Sequence, residues 1–203
     1  MKRKMQLLGG LCIGLLGLGF VINGSYIQLK ALLAQHLLHS AWEQTLLGEE
    51  NVKPWAWADT WPLARLSVAG QEADLIVMEG ASGRTMAFAP GHMQGTPSPG
   101  DIGYSVISAH RDTHFSFLKH LQAGDKLELQ TRQGEKLDYQ VTHMQIVDAH
   151  AAPVPDDDGV RGLMLVTCYP FDSLSVGGNL RYVVYAQSNT ASTDRDASRV
   201  PEV

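Results

Sequence analysis

Residues 162–171 read GLMLVTCYPF, an aliphatic and β-branched run that ends on a cysteine and is stopped by Pro170. The run 163–166 is too short for a helix of ordinary length, and its composition predicts a buried strand that emerges at Cys168 into a loop. A thiol at a strand end can be held rigidly and still be reached. To act as a nucleophile it needs a nearby cation or imidazole that favours the thiolate. The other reading of the same cysteine is a small buried hydrophobe.

Two further stretches bear on that choice. VISAHRDTHF, residues 106–115, places His110 just past a second apolar run, followed by turn-forming polar residues. A histidine so placed can serve as general acid for a leaving amine and as base for an incoming nucleophile. GGNLRYVVYA, residues 177–186, puts Arg181 inside a strongly β run, where an unpaired cation on a half-buried strand is costly. Such an arginine has an anion to meet: Asp112, Asp172 or a developing oxyanion. An ordinary salt bridge fits this pattern as well as a site does.

Beyond Pro62 the chain is built of short apolar runs between Gly, Pro and Asp signals. Strands are predicted over 64–68, 74–79, 103–108, 126–131, 136–146, 162–167 and 180–186, with a loop over 89–101 and one or two helical turns over 115–121. Seven or eight strands with few helices predict a small barrel or sandwich. The polar stretch 188–203 reads as a disordered tail.

The N-terminal part differs in kind. Lys2, Arg3 and Lys4 precede an uncharged run from Met5 to Ile22, about long enough to cross a bilayer as a helix. The basic flank predicts a cytoplasmic start and an exported remainder; a cleaved signal peptide shares the pattern. Residues 26–48 read as a helix with Leu29, Leu32, Leu33, His36, Leu37 and Ser40 on one face and Gly48 as its stop. Trp55, Trp57 and Trp61 follow between Pro54 and Pro62, and are expected to pack this segment onto the domain; interfacial anchoring is the alternative. The expected organisation is a basic tip over 1–4, a membrane anchor over 5–25, a helical arm or linker over 26–53, a catalytic domain over 54–187 and a tail over 188–203.

The chain has two cysteines. Cys12 falls in the apolar run, so Cys168 is left as a lone exported thiol, a hazard in an oxidising compartment unless it is buried or employed. A net charge of −5 with scattered basic residues argues against nucleic acid as a partner.

An exported β-rich domain carrying His110, Cys168 and Arg181 in that order resembles the sortase family. The resemblance rests on SAHRDTHFSFL (108–118), the GDKL turn (124–127), LVTCYPF (165–171) and LRYVV (180–184), and it runs from about residue 54 to 186. The motifs are similar to those of class C and class D sortases, and the Trp-rich arm looks most like the Gram-negative, proteobacterial branch. The resemblance implies a closed β-barrel of seven to eight strands and a cysteine transpeptidase without a cofactor. Its substrate would be a secreted protein with a C-terminal, LPxTG-like sorting signal, passed through a thioester to an amine acceptor. Cys168 would be the nucleophile, His110 the acid and base, and Arg181 the oxyanion and substrate ligand, with Thr167 and Asp112 in support.

Two metal readings are weighed and set aside. PDDDG, residues 155–159, lacks the alternation of a calcium loop. His110, His114 and His92 lack an acidic or Cys ligand to complete a zinc set. A thiol hydrolase on the same scaffold and a non-catalytic module with a buried Cys168 remain as alternatives to the transpeptidase.

Overall fold

The computed structural model describes residues 2–68, 70–71, 73–150, 154–155, 159–173 and 178–188. The chain divides into two compact units, Met1–Leu37 and Leu38–Val203. One helix, α1, spans Lys2–Leu46. Within it, Gly9–Leu46 is long and apolar enough to cross a membrane. Leu15, Leu16, Phe20 and Val21 are each at least 60% exposed, a surface that water does not tolerate well.

The helix stops at Gly48, as its sequence predicts. The Gly48 N–H donates to the Thr45 carbonyl and the Glu49 N–H to that of Gln44, while Gly48 adopts φ +96°. This is a Schellman cap, and only glycine enters that conformation without strain. The face buried here is a different one from the leucine face read in the sequence. Ala34, Leu38, Ala41, Trp42 and Thr45 are buried, whereas Leu29, Leu32 and Leu33 are more than half exposed. Apolar residues surround the helix here, so periodicity alone could not select the stripe.

Within the second unit, eight strands close into a barrel. They are β1 (Pro62–Val68), β2 (Ala73–Glu79), β3 (Gly91–His92), β4 (Gly103–Ser108), β5 (Lys126–Thr131), β6 (Lys136–Asp148), β7 (Arg161–Cys168) and β8 (Leu180–Ser188). Their order around the barrel is β1-β2-β3-β4-β7-β8-β6-β5. The β2–β3 and β4–β7 pairs are parallel and the others antiparallel. The interior is filled by alternate residues of the long strands, such as Leu66, Val77, Ile107, Leu129, Leu163 and Val184, together with Phe115 and Leu118 from the segment after β4. That segment carries a 3-10 turn, Ser116–His120, where one or two helical turns were expected. A four-residue helix, α2 (Gly83–Met86), and β3 went unpredicted.

Successive residues of a strand face opposite sides of a sheet. In most of the barrel one side meets water. Around β4, β7 and β8 it does not: Tyr104, Val106, Val147, Met164, Val183 and Tyr185 form a second apolar cluster on the outer face. A third cluster joins Leu38 and Trp42 to Ile76, Met78 and Ala89, with Trp55 packed against it. The Trp segment therefore docks only in part. Trp55 lies edge-on to Phe88 at 5.0 Å, but Trp57 is 82% exposed, against the expectation of packing. Most of PDDDG and all but Ser188 of the expected tail lie outside the described residues.

Candidate active site

Strands β4 and β7 run parallel, so their C-terminal ends reach the same rim. Ser108 pairs with Val166, and the Ala109 N–H donates to the Val166 carbonyl at 3.2 Å. His110 thus leaves β4 beside the end of β7, where Cys168 is the last strand residue. On the other side of β7, Cys168 faces Arg181 of β8. The Tyr169 N–H donates to the Leu180 carbonyl at 3.0 Å. Cys168 and Arg181 therefore occupy a non-hydrogen-bonded position, where opposed side chains stand closest. Leu163 and Leu165 point into the barrel and Met164 packs on the outer cluster. By alternation Cys168 and Arg181 lie on the outer face, at the edge of that cluster.

The Cys168 thiol is free and half-buried, while His110 is exposed. Arg181 is half-buried, with Cys168 on one flank and the apolar Val147 of β6 on the other. Its Nη1 donates to the Gly178 carbonyl at 2.6 Å and to the Leu180 carbonyl at 3.0 Å. Neither Asp112 nor Asp172 pairs with it; among the described residues no carboxylate does. The guanidinium is held by the backbone of its own strand and the loop before it. Asp112 is exposed and makes no hydrogen bond or ion pair among the described residues.

Thr167 is 2% exposed, and its hydroxyl donates to the Ala109 carbonyl at 2.7 Å. A buried donor spent in this way ties the end of β7 to the residue preceding His110. The hydroxyl faces the interior, not the rim on which Cys168 lies. A second tie was missed by sequence reasoning: Arg111 Nη2 donates to the Ser173 carbonyl at 2.7 Å, joining the turn after His110 to the loop after Cys168. Arg111 lies within the motif string, but a backbone acceptor so distant in sequence leaves no pattern to read.

The turn after His110 is closed by the Phe115 N–H donating to the His110 carbonyl at 3.0 Å. It places His114 close to His110. Burial pushes the His114 imidazole below its usual range; a hydrogen bond to the Phe88 backbone opposes this and the proximity of His110 reinforces it. His92 belongs to a different region. It is 4% exposed, with Nε2 2.9 Å from the Pro97 carbonyl and Nδ1 3.8 Å from Glu79 Oε2. Among the described residues, no three or more His, Cys, Asp or Glu side chains converge as a metal site.

The domain has relatives. Residues 66–189 match the profile of the sortase domain. Sortase D of Bacillus subtilis (strain 168) is 32% identical over 134 residues, covering 62% of this chain and 63% of the relative, so the chain spans less than two thirds of that protein's length. Sortase C-1 from Actinomyces oris is 25% identical with a TM-score of 0.56, over 63% of this chain and 72% of the other. A pilus-related sortase C of Group B Streptococcus is 28% identical with a TM-score of 0.52, over 63% and 66%. Sortase A from Corynebacterium diphtheriae, at 20% identity, shares the fold with a TM-score of 0.58 over 79% of this chain and 86% of the other. With the domain profile matching more than half of its length, the chain belongs to the sortase family.

Proposed function

We propose that the chain is a membrane-anchored cysteine transpeptidase. The observation that carries this reading is the opposition of Cys168 and Arg181 on neighbouring strands, with His110 leaving the parallel strand on the other side. Cys168 Sγ, as the thiolate left when its proton passes to His110, attacks a peptide carbonyl of a C-terminal sorting signal, LPxTG-like in kind, on a secreted protein. Arg181 offers its remaining N–H groups to the developing oxyanion, a role in which a fixed cation beside apolar Val147 is worth more than in water. His110 gives a proton to the departing amine as the C–N bond breaks and leaves a thioester. Water is a poor competitor if an amine is held ready, and the acyl group then passes to that acceptor. Thr167 and Arg111 act through others, fixing where the His110 turn stands against the Cys168 loop. Asp112, exposed in that turn, supports the site by its charge.

The N-terminal helix supplies the anchor in this reading. The tip 1–4 stays in the cytoplasm, 5–25 crosses the membrane once, 26–53 forms the arm, and 54–187 works on the extracytoplasmic side, with 188–203 as a tail. The Trp-rich segment supports a Gram-negative setting, in which the acceptor amine is not that of a Gram-positive wall.

The test incubates the full chain in detergent micelles with LPxTG-like peptides and a small amine, and follows products by mass spectrometry. A peptide–amine product and an acyl adduct on Cys168 are expected, both lost in Cys168→Ala. Cleavage that yields free acid only, whatever amine is added, would replace the transferase with a hydrolase.

A further inference from the structure

Trp57 projects from the second unit with 82% of its surface exposed, although Trp55, two residues earlier, packs on the domain. Its neighbours show where it lies. Trp57 lines a small hollow with Leu38, Trp55, Met78 and Phe88, and Phe88 is itself 37% exposed. Leu38 is the first residue of that unit, the point at which the chain arrives from the apolar helix. After the cap at Gly48 the chain therefore returns beside the last turns of α1, and brings Trp57 back to the residue by which the helix enters the domain.

The preceding helix gives the scale. From Met5 to Leu29 it holds no charge, and Lys30 follows. Lys30 Nζ lies 5.2 Å over the ring of Tyr26. An aromatic ring and a long-stemmed cation at the end of an apolar helix are what a bilayer–water boundary selects. Past that pair Leu32 and Leu33 are still more than half exposed, a surface better suited to lipid than to water. At about 1.5 Å per residue, 5–33 spans about 43 Å, against roughly 40–45 Å for a bilayer with its headgroups. Leu38 follows about 7 Å further along the helix, a distance that a tryptophan side chain can bridge.

Area and charge narrow what meets Trp57. An aromatic side chain buries roughly 150–250 Å². Trp57 and the exposed part of Phe88 thus fall short of the roughly 800 Å² that each partner of a stable protein complex contributes. The charges at the hollow, Arg84 and Asp59, pair with each other at 3.3 Å, so the patch presents no net charge to an ionic ligand. An indole, with its apolar body and N–H at the edge, suits the interfacial layer of a bilayer.

We propose that Trp57 inserts into the headgroup layer of the membrane that α1 crosses, so that the barrel rests on the bilayer at this patch as well as hanging from its helix. The proposal rests on the anchored reading of α1 and adds a second, interfacial contact to it.

The experiment uses the full chain in phosphatidylcholine vesicles, one set brominated near the headgroup and another near the chain ends. The Trp57 signal is the difference between wild-type and Trp57→Phe fluorescence, with the fold of both checked by circular dichroism. That signal is expected to be blue-shifted from indole in water, to lose most of its intensity to bromines near the headgroup, and to keep it with bromines near the chain ends. A water-like signal, unquenched in both sets, from protein that resists alkaline carbonate extraction would overturn the interfacial contact and leave the anchor standing. Release of the protein by carbonate would overturn the anchor and the contact together. A blue-shifted signal unquenched in both sets would set Trp57 against protein and overturn the membrane contact as well.

Discussion

Two walls of the same barrel are built differently. Along β5 and the first half of β6 every second residue is buried, and the others face water. Along β4 and the middle of β7 nearly every residue is buried, because the outer cluster covers the second face. The first wall has only to close the core. The second is rigid on both sides, and Cys168 and Arg181 sit at the edge of its cover. The nucleophile proposed at Cys168 needs a position fixed by packing and yet open at its tip, and the doubly covered wall offers both.

The largest break in this contrast should come at the rim. Cys168→Ala is expected to lower peptide transfer on the order of 10³-fold or more, and Arg181→Ala by about 10²–10³-fold, with folding intact by circular dichroism. Deeper in the same wall, Leu165→Ala should cost ~2–5 kcal/mol in urea unfolding, whereas Lys136→Ala on the one-faced wall should cost under ~0.5 kcal/mol. Similar losses at both would erase the distinction.

The cover itself can be probed at Gly162. A Cβ there would run into the ring of Tyr104, its register partner on β4. Gly162→Ala is expected to destabilise by ~1–3 kcal/mol and to lower transfer, since the ring must shift. Thr167→Val keeps the shape and removes the donor to the Ala109 carbonyl. We expect a loss of ~1–2 kcal/mol and a fall in kcat larger than any change in KM, read from initial rates.

A small effect belongs to the exposed side. Arg65 binds Asp74 through both carboxylate oxygens across β1 and β2, and this hydrogen bonding holds the Asp74 carboxyl below its ordinary 3.8. The folded chain therefore keeps Asp74 charged to lower pH than the unfolded chain does. The stabilisation is present above about pH 3.8 and is lost as pH falls through the lowered folded value. Both side chains are 40% or more exposed, so the difference between wild type and Asp74→Asn should stay under ~1 kcal/mol in an acid titration.

What the sequence disclosed follows the same division. Seven strands were legible because each carries enough apolar or β-branched residues to set a period, and their ends gave His110, Cys168 and Arg181. β3 was not legible: two residues, Gly91 and His92, have no period. The stripe Ala34–Leu38–Trp42 was hidden by leucines on every side of α1. The tie from Arg111 to Ser173 ends on a carbonyl, which any residue could supply. The cavity lined by Ala73, Leu75, Thr113 and His114 brings β2 beside a turn that lies about forty residues further along the chain, a proximity that exists only once the barrel has closed.

The alternation of β7 ties the chemistry to the reading frame of the fold. Thr167 is sealed inside and Cys168 turned out, one peptide apart. Deleting or inserting a single residue in the strand would exchange them, sending the thiol inward and Leu163 and Leu165 toward the outer face. Such a change would injure the core and the proposed nucleophile together, so β7 is expected to vary by substitution and not by length.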